Sequence, residues 1–118
     1  MKIQPWRFIG DCELCIWVDA NQIINSDLDE FVRHNPGDLV TTKHPQRDCI
    51  YKEAEAIVKY KKDKMENMKE QMELYRADGY PEKAGLCETC VIIRRQTPEV
   101  MSVMDMWEEL LRKYSHRD

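Results

Sequence analysis

An acidic side chain and an amide follow an apolar run near the start of the chain. Residues 15–18 read Cys-Ile-Trp-Val, Asp19 comes next, and Asn21 stands two positions later. Two oxygen-bearing side chains at the end of a strand could meet a cation at the edge of a sheet. The same residues also favour an ordinary Asx turn. Taken alone, the stretch leaves both interpretations open.

The cysteines form two pairs with the spacing of zinc knuckles. Cys12 and Cys15 make one CxxC pair, and Cys87 and Cys90 make the other. Four thiolates would suit tetrahedral zinc, but a long and mostly helical stretch separates the pairs, and each pair runs into a strand pattern. We therefore expect small buried hydrophobic thiols and no zinc, with the fifth cysteine, Cys49, in a core. An odd number of cysteines argues against a disulfide framework and favours a reducing, cytoplasmic location.

Composition limits the class of protein. The 118 residues allow one domain at most, and a net charge of −4 with mixed signs gives no footprint for nucleic acid. No apolar run approaches the length of a membrane span, and the first residues do not resemble a secretion signal. The chain therefore reads as a globular protein.

The periodicity predicts an α/β chain. Residues 13–20 form a strand candidate whose continuous apolar character suits burial on both faces, as in a parallel-rich sheet. Ser26 is the expected N-cap of a short helix, with Asp29 at the capping-box position. Residues 38–44 and 91–94 predict two further strands.

Two amphipathic stretches predict the remaining helices. A helical pattern begins at Asp48 and continues to Gly79, which fits the position after a helix end. Thr97 and Pro98 begin the last helix as N-cap and N1. Both helical patterns have an apolar face that is expected to face a core. In the second half of the long pattern this face consists of Met65, Met68, Met72 and Tyr75. In the last helix it consists of Val100, Val103, Met104, Trp107, Leu110, Leu111 and Tyr114.

Four short segments carry more polar groups than a core requires. They read "WVDAN", "KHPQRDCIYKEA", "GLCET" and "SHRD", in that order. In this order they resemble a glycosyltransferase-like family, long listed as a domain of unknown function, that is similar to the GT-A class of nucleotide-sugar-dependent glycosyltransferases. The family pattern has W-[IV]-D-[AG]-[NS], K-H-P-x-R-x-C-I-Y-x-E-A, G-L-x-E-[TS] and S-x-R-D. The resemblance implies a partial GT-A-like sheet with flanking helices.

The resemblance also assigns roles to residues of this chain. It implies that Asp19 and Asn21 hold Mn²⁺ or Mg²⁺, which prefer oxygen ligands and would bridge the diphosphate of a nucleotide-sugar donor. It makes Glu88 and Asp118 competing candidates for the catalytic base that activates a glycan or other acceptor. The candidates for substrate binding are His44, Arg47 and Arg94; Arg47 could instead pair with a nearby carboxylate and hold its loop.

The segment that carries Asp19 comes earlier than the GT-A pattern expects. We therefore expect a single domain over residues 1–118 that lacks the N-terminal nucleotide-binding half. A sheet without that half would expose an edge and apolar side chains. The N-terminal residues Trp6, Phe8 and Ile9, with Trp17, are expected to support a homo-oligomer. We also expect Asp19, His44, Glu88 and Asp118 to surround one cleft.

Overall fold

The structure is a computed structural model that describes residues 2–117. Within those residues the chain alternates short strands and helices, which confirms the α/β class. The elements are α1 (Trp6–Ile9), β1 (Leu14–Val18), α2 (Leu28–His34), β2 (Leu39–Lys43), α3 (Ile50–Lys59), α4 (Met65–Ala77), β3 (Cys87–Arg95) and α5 (Pro98–Lys113).

The described chain divides into two compact units. The first unit contains residues 2–42 and 88–107, and the second contains residues 43–87 and 108–117. The first unit therefore consists of two separate segments, and most of the second is one continuous stretch. No helix among residues 2–117 is long and apolar enough to cross a membrane.

The sheet has the order β1-β3-β2, with β3 in the centre. β1 pairs with β3 antiparallel, so that Leu14 lies opposite Arg95 and Val18 lies opposite Val91. The expectation of a parallel-rich sheet was wrong. Every residue of β1 is only half-buried, which is ordinary for a strand at the edge of an antiparallel sheet.

The core of the first unit lies around the middle of β3. Ile92 and Ile93 point to opposite faces, and both are almost fully buried, as are Val100 and Met104 of α5. Thr97 caps α5 as predicted, because its Oγ1 accepts a hydrogen bond from the Val100 N–H at 3.3 Å. The prediction for Val103 was wrong, since its side chain is 41% exposed.

The core of the second unit is built by α3 and α4. Its buried members are Cys49, Tyr51, Ala54, Ile57, Met68 and Met72. The methionine stripe therefore faces a core at two positions as expected, but Met65, in the first turn of α4, is 66% exposed.

The helical pattern from Asp48 to Gly79 is interrupted. Lys61 has a φ of 53°, in the left-handed region, and this residue ends α3. The N–H of Lys61 donates to Val58 C=O, and the N–H of Lys62 donates to Ile57 C=O, which is the Schellman arrangement. The continuous helix was therefore a wrong prediction, because a lysine takes a role that the sequence pattern reserves for glycine.

The cap of α2 also differs from the prediction. Asp27, and not Ser26, is the N-cap, and its Oδ1 accepts hydrogen bonds from the backbone N–H groups of Asp29 and Glu30. A carboxylate at this position interacts favourably with the helix dipole as well as with the open N–H groups.

Candidate functional site

Asp19 lies in a turn that closes β1. Its N–H donates to Cys90 C=O at 2.9 Å, and its own C=O accepts from the Gln22 N–H at 2.9 Å. The first bond extends the β1–β3 pairing by one residue, and the second closes a β-turn over residues 19–22. A turn is therefore present, but it is closed by the backbone and not by the Asp19 side chain as in an Asx turn, and it fixes the backbone of Asp19 beside β3.

The carboxylate of Asp19 accepts two hydrogen bonds at the same oxygen. The Trp17 Nε1–H donates to Oδ1 at 2.7 Å, and the Lys2 ammonium donates to Oδ1 at 3.2 Å. Trp17 and Asp19 are two residues apart, so strand alternation places them on one face. The Trp17 hydrogen bond, followed by Lys2, holds the pKa of Asp19 below its usual value.

Lys2 makes further contacts in the same place. Its Nζ also donates to Thr89 Oγ1 at 3.2 Å and lies 6.0 Å from the centroid of the Trp17 ring. The side chain of Lys2 is 18% exposed, and that of Asp19 is 35% exposed. The ammonium is thus held between the turn after β1 and the first half of β3.

Asp19 and Asn21, the oxygen ligands expected for a divalent cation, do not form a complete set of ligands for such an ion. Asn21 is exposed, and its Oδ1 accepts a hydrogen bond from Gln22 Nε2 at 3.4 Å. Residues 2–117 contain no group of three or more His, Cys, Asp or Glu side chains arranged to hold a metal. The role of Asp19 and Asn21 as metal ligands therefore stays a prediction, and a single carboxylate would suffice for Mg²⁺ or Mn²⁺ only if substrate phosphates supplied further oxygens.

Glu88 lies in β3, directly before the residue that contacts Lys2. Its backbone C=O accepts a hydrogen bond from Thr42 Oγ1 at 3.1 Å. Its side chain is half-buried and makes no hydrogen bond or ion pair within the described part of the chain. Its role as a catalytic base stays a prediction.

The two arginines of β3 have different surroundings. Arg94 is 1% exposed, and its Nη1 donates to Ile3 C=O at 3.0 Å. Its Nε and Nη2 have no hydrogen-bond partner in residues 2–117, and burial lowers the pKa of this guanidinium. Arg95 is half-exposed and lies near the carboxylates of Glu13 and Asp38. The hydrogen bond from Arg94 to Ile3 anchors the N-terminal segment. A role of Arg94 in substrate binding stays a prediction.

His44, Arg47 and Glu53 contact one another in the second unit. Arg47 Nε donates to Glu53 Oε2, and Arg47 Nη2 lies 3.2 Å from His44 Nε2. The N–H groups of Gln46 and Arg47 point at His44 Nδ1 at 3.1 and 3.0 Å, which makes Nδ1 an acceptor. The contact of Arg47 with Glu53 therefore supports the alternative that Arg47 pairs with a nearby carboxylate and holds its loop. Whether His44 and Arg47 also bind substrate stays a prediction.

The rest of this long motif builds the start of α3. Cys49 is buried at the N-cap position, and Tyr51 donates its hydroxyl hydrogen to Tyr80 C=O at 2.7 Å. Backbone N–H groups, first that of Lys83 and then that of Lys52, lower the pKa of the Cys49 thiol. Much of the motif is therefore explained by local structure.

The C-terminal motif is held by a residue that the sequence analysis did not single out. Asp63 Oδ2 accepts hydrogen bonds from Ser115 Oγ and from the His116 N–H. The Ser115 hydrogen bond is the main reason why the pKa of Asp63 lies below its usual value. His116 also lines a shallow cavity with Glu108, Leu111 and Arg112. The other catalytic candidate, Asp118, lies outside the described residues.

All five cysteines are free thiols. Cys15 lies opposite Arg94 in the β1–β3 register, and burial raises the pKa of its thiol. Cys87 and Cys90 both belong to β3, where residues three apart point to opposite faces.

The structure brings some of the predicted residues together and leaves others apart. Asp19 and the segment around Glu88 share the first unit, whereas His44 and Arg47 belong to the second. The single cleft around all four predicted residues stays a prediction. The sequence analysis missed Lys2, Thr89 and Asp63, because lysine, threonine and aspartate are common surface residues. Their hydrogen-bond partners are distant in sequence and are visible only in the fold.

A comparison with protein-family models gives one finding over the whole chain. The model for the TOD1/MUCI70 glycosyltransferase-like domain matches residues 1–118. The chain therefore belongs to the TOD1/MUCI70 glycosyltransferase-like domain family, which confirms the glycosyltransferase-like resemblance. Searches of curated proteins and of solved structures find no match.

Proposed function

From this family membership, we propose that the chain transfers a sugar from a nucleotide-sugar donor to a glycan or another acceptor. The family match over residues 1–118 is the observation that carries the proposal. In such a reaction the bond between the sugar and the diphosphate breaks, and negative charge develops on the departing nucleoside diphosphate. A site that places positive charge near those phosphates lowers the barrier.

Asp19, with Asn21 beside it in the turn, is the proposed ligand for Mn²⁺ or Mg²⁺. The divalent cation, when bound, supplies the positive charge that the diphosphate requires. The support is that Asp19 is held beside β3 by its backbone and has a lowered pKa, so that it is an anion at neutral pH. Because residues 2–117 offer few ligands here, we propose that cation and donor bind together.

Glu88 is the proposed catalytic base. A base must accept the proton of the attacking hydroxyl group as the new bond forms. The half-buried carboxylate of Glu88 has no hydrogen-bond or ion-pair partner in residues 2–117. Asp118 remains the competing candidate, and His44, Arg47 and Arg94 are the proposed substrate-binding residues.

The test is release of nucleoside diphosphate from a panel of nucleotide-sugars, with Mn²⁺ and with an acceptor mixture. We expect Glu88→Gln to reduce turnover by roughly a hundredfold or more, which is the usual contribution of a general base. Glu99→Gln, which changes an exposed carboxylate in the first turn of α5, is the matched control and should keep full activity. Equal turnover of both variants would remove Glu88 from the mechanism.

The second candidate is a non-catalytic binding or interaction module. The observation that favours it is the internal pairing of charged motif residues, above all Arg47 with Glu53. Binding of a nucleotide-sugar without turnover, or no binding, would support this candidate. A zinc-stabilised domain is a weaker alternative, which metal analysis of the purified protein tests. A cytoplasmic location and a homo-oligomeric state are part of the main proposal.

A further inference from the structure

The imidazole ring of His44 has one nitrogen that must accept hydrogen bonds. The backbone N–H groups of Gln46 and Arg47 both point at Nδ1, at 3.1 and 3.0 Å. A proton on Nδ1 would face these two N–H groups, so the proton of the neutral ring lies on Nε2. The Nε2 atom of His44 is therefore a hydrogen-bond donor.

This donor faces a second donor. Arg47 Nη2 lies 3.2 Å from His44 Nε2, and a guanidinium group has only N–H groups to offer. Glu53 Oε2 is 3.8 Å from His44 Nε2, which is too far for a hydrogen bond, and it already accepts from Arg47 Nε. Within residues 2–117, two neighbouring N–H donors at a partly exposed position thus converge without an acceptor between them.

The charge of this cluster selects the kind of oxygen that fits. Glu53 balances the positive charge of Arg47, and the neutral ring of His44 adds none. A phosphate oxygen of a nucleotide would bring a further negative charge close to Glu53. A hydroxyl group is uncharged, accepts from the two N–H donors and donates its own hydrogen to Glu53 Oε1, which makes no hydrogen bond within residues 2–117.

We propose that His44, Arg47 and Glu53 form a binding site for a sugar hydroxyl group, with His44 Nε2–H and Arg47 Nη2–H as the donors and the Glu53 carboxylate as the acceptor. The inference rests on the proposed function, because that reaction supplies sugars as ligands. It adds Glu53 to the site and names the chemical group that each side chain binds. The sugar belongs to the nucleotide-sugar donor or to a glycan acceptor, and both present the same hydroxyl chemistry.

The first test measures the position of the ring proton in the ¹⁵N-labelled full chain. A long-range ¹H–¹⁵N NMR spectrum at mildly alkaline pH distinguishes the two neutral tautomers of each histidine. His34 and His116 are internal references, because the Nδ1 atom of each lies 2.8 Å from a backbone carbonyl oxygen and donates to it. We expect His44 to carry its proton on Nε2, and the two references to contain more of the Nδ1–H form. An Nδ1–H tautomer at His44 would overturn the proposal.

The second test is a titration of the same protein with methyl glycosides of common hexoses and pentoses, with nucleotide-sugars and with inorganic phosphate. We expect sugars to shift the ring signals of His44 and phosphate to leave them unchanged. A shift caused by a methyl glycoside places an acceptor sugar at the site. A shift caused by a nucleotide-sugar, but not by its nucleoside diphosphate, places the donor sugar there. A response to phosphate alone, or to none of these compounds, would overturn the proposal.

Three variants separate the site from the loop that carries it, and the backbone N–H signals of Gln46 and Arg47 report their sugar affinity. His44→Asn keeps an acceptor near the position of Nδ1 and loses the donor at Nε2, so it should bind sugar about fivefold more weakly. Glu53→Gln loses the charged acceptor and should bind about tenfold more weakly. His34→Asn makes the same exchange on α2 and should bind like the wild type.

Unchanged sugar affinity in Glu53→Gln would overturn the proposal even if His44→Asn fails to fold, and an equal loss in His34→Asn would do the same. A failure of glycosyl transfer is a separate result. If sugars shift the His44 signals but no nucleotide-sugar is turned over, the hydroxyl site stands and the catalytic proposal fails. If turnover is the same in the wild type and in Glu53→Gln at low substrate concentration, the hydroxyl site fails and the catalytic proposal stands.

Discussion

At the scale of single residues, Asp63 makes the largest set of hydrogen bonds to the C-terminal motif. It lies just before α4, where Oδ1 accepts from the Lys64 N–H and from Asn67 Nδ2. Oδ2 accepts from Ser115 and from His116. The Asp63 carboxylate thus joins the start of α4 to the end of the described chain. Its negative charge receives these hydrogen bonds only in the folded protein.

Asp63→Asn should lower the free energy of unfolding by about 2 kcal/mol at pH 7, because hydrogen bonds to a charged group are lost. Since folding lowers the pKa of Asp63, the stabilisation is complete above its unfolded value near 3.9 and is lost as the pH falls through the folded value. Urea unfolding at pH 7 and pH 3 measures both effects. Asp78→Asn, at the C-cap of α4, is the control; an equal loss in both variants would contradict the role of Asp63.

At the scale of elements, the second unit contains two helix ends with the same hydrogen bonds and different residues. After α4, Gly79 donates to Arg76 C=O and Tyr80 donates to Tyr75 C=O, as Lys61 and Lys62 do after α3. Gly79 has a φ of 74°, and Lys61 has a φ of 53°. Glycine adopts this region without cost, whereas lysine has a Cβ that opposes it.

Lys61→Gly should therefore raise the free energy of unfolding by about 1 kcal/mol, and Gly79→Ala should lower it by about the same amount. Opposite shifts in thermal unfolding of the two variants would confirm the matched geometry. Stability that falls in Lys61→Gly would show that the lysine side chain contributes more than its backbone conformation costs.

The elements also indicate what the sequence could predict. β2, α5 and its Thr97 cap follow from local patterns, because alternation and capping act over a few residues. The pairing direction of β1 does not follow, since a continuous apolar run fits several kinds of sheet. The break at Lys61 has no local signal. The contacts of Asp19 with Lys2 and Thr89 join distant parts of the chain, so only the tertiary fold reveals them.

At the scale of the whole molecule, apolar side chains near the N-terminus remain in contact with water. Phe8 is 62% exposed and Ile9 is 55% exposed, and both belong to the short helix α1. Adjacent exposed apolar side chains favour association. The proposed homo-oligomer therefore has a candidate surface at α1.

Phe8→Asp combined with Ile9→Ser should shift the protein towards the monomer in light scattering at matched concentrations. Ile23→Asp, at a side chain that is 89% exposed, is the control and should leave the molar mass unchanged. A wild type that is already monomeric at high concentration would remove the homo-oligomer from the proposal.

The division of the first unit into two chain segments has a consequence for the order of folding. β1 cannot pair until β3 has been synthesised, and the Ile3 C=O accepts a hydrogen bond from Arg94, at a sequence separation of 91 residues. The second unit joins α3 and α4 across a short connection, so its core forms from local contacts, which assemble fast. On the ribosome, the N-terminal residues must therefore remain unpaired while the helical core between the two segments is made. Chaperone binding to the nascent chain should concentrate on residues 2–42.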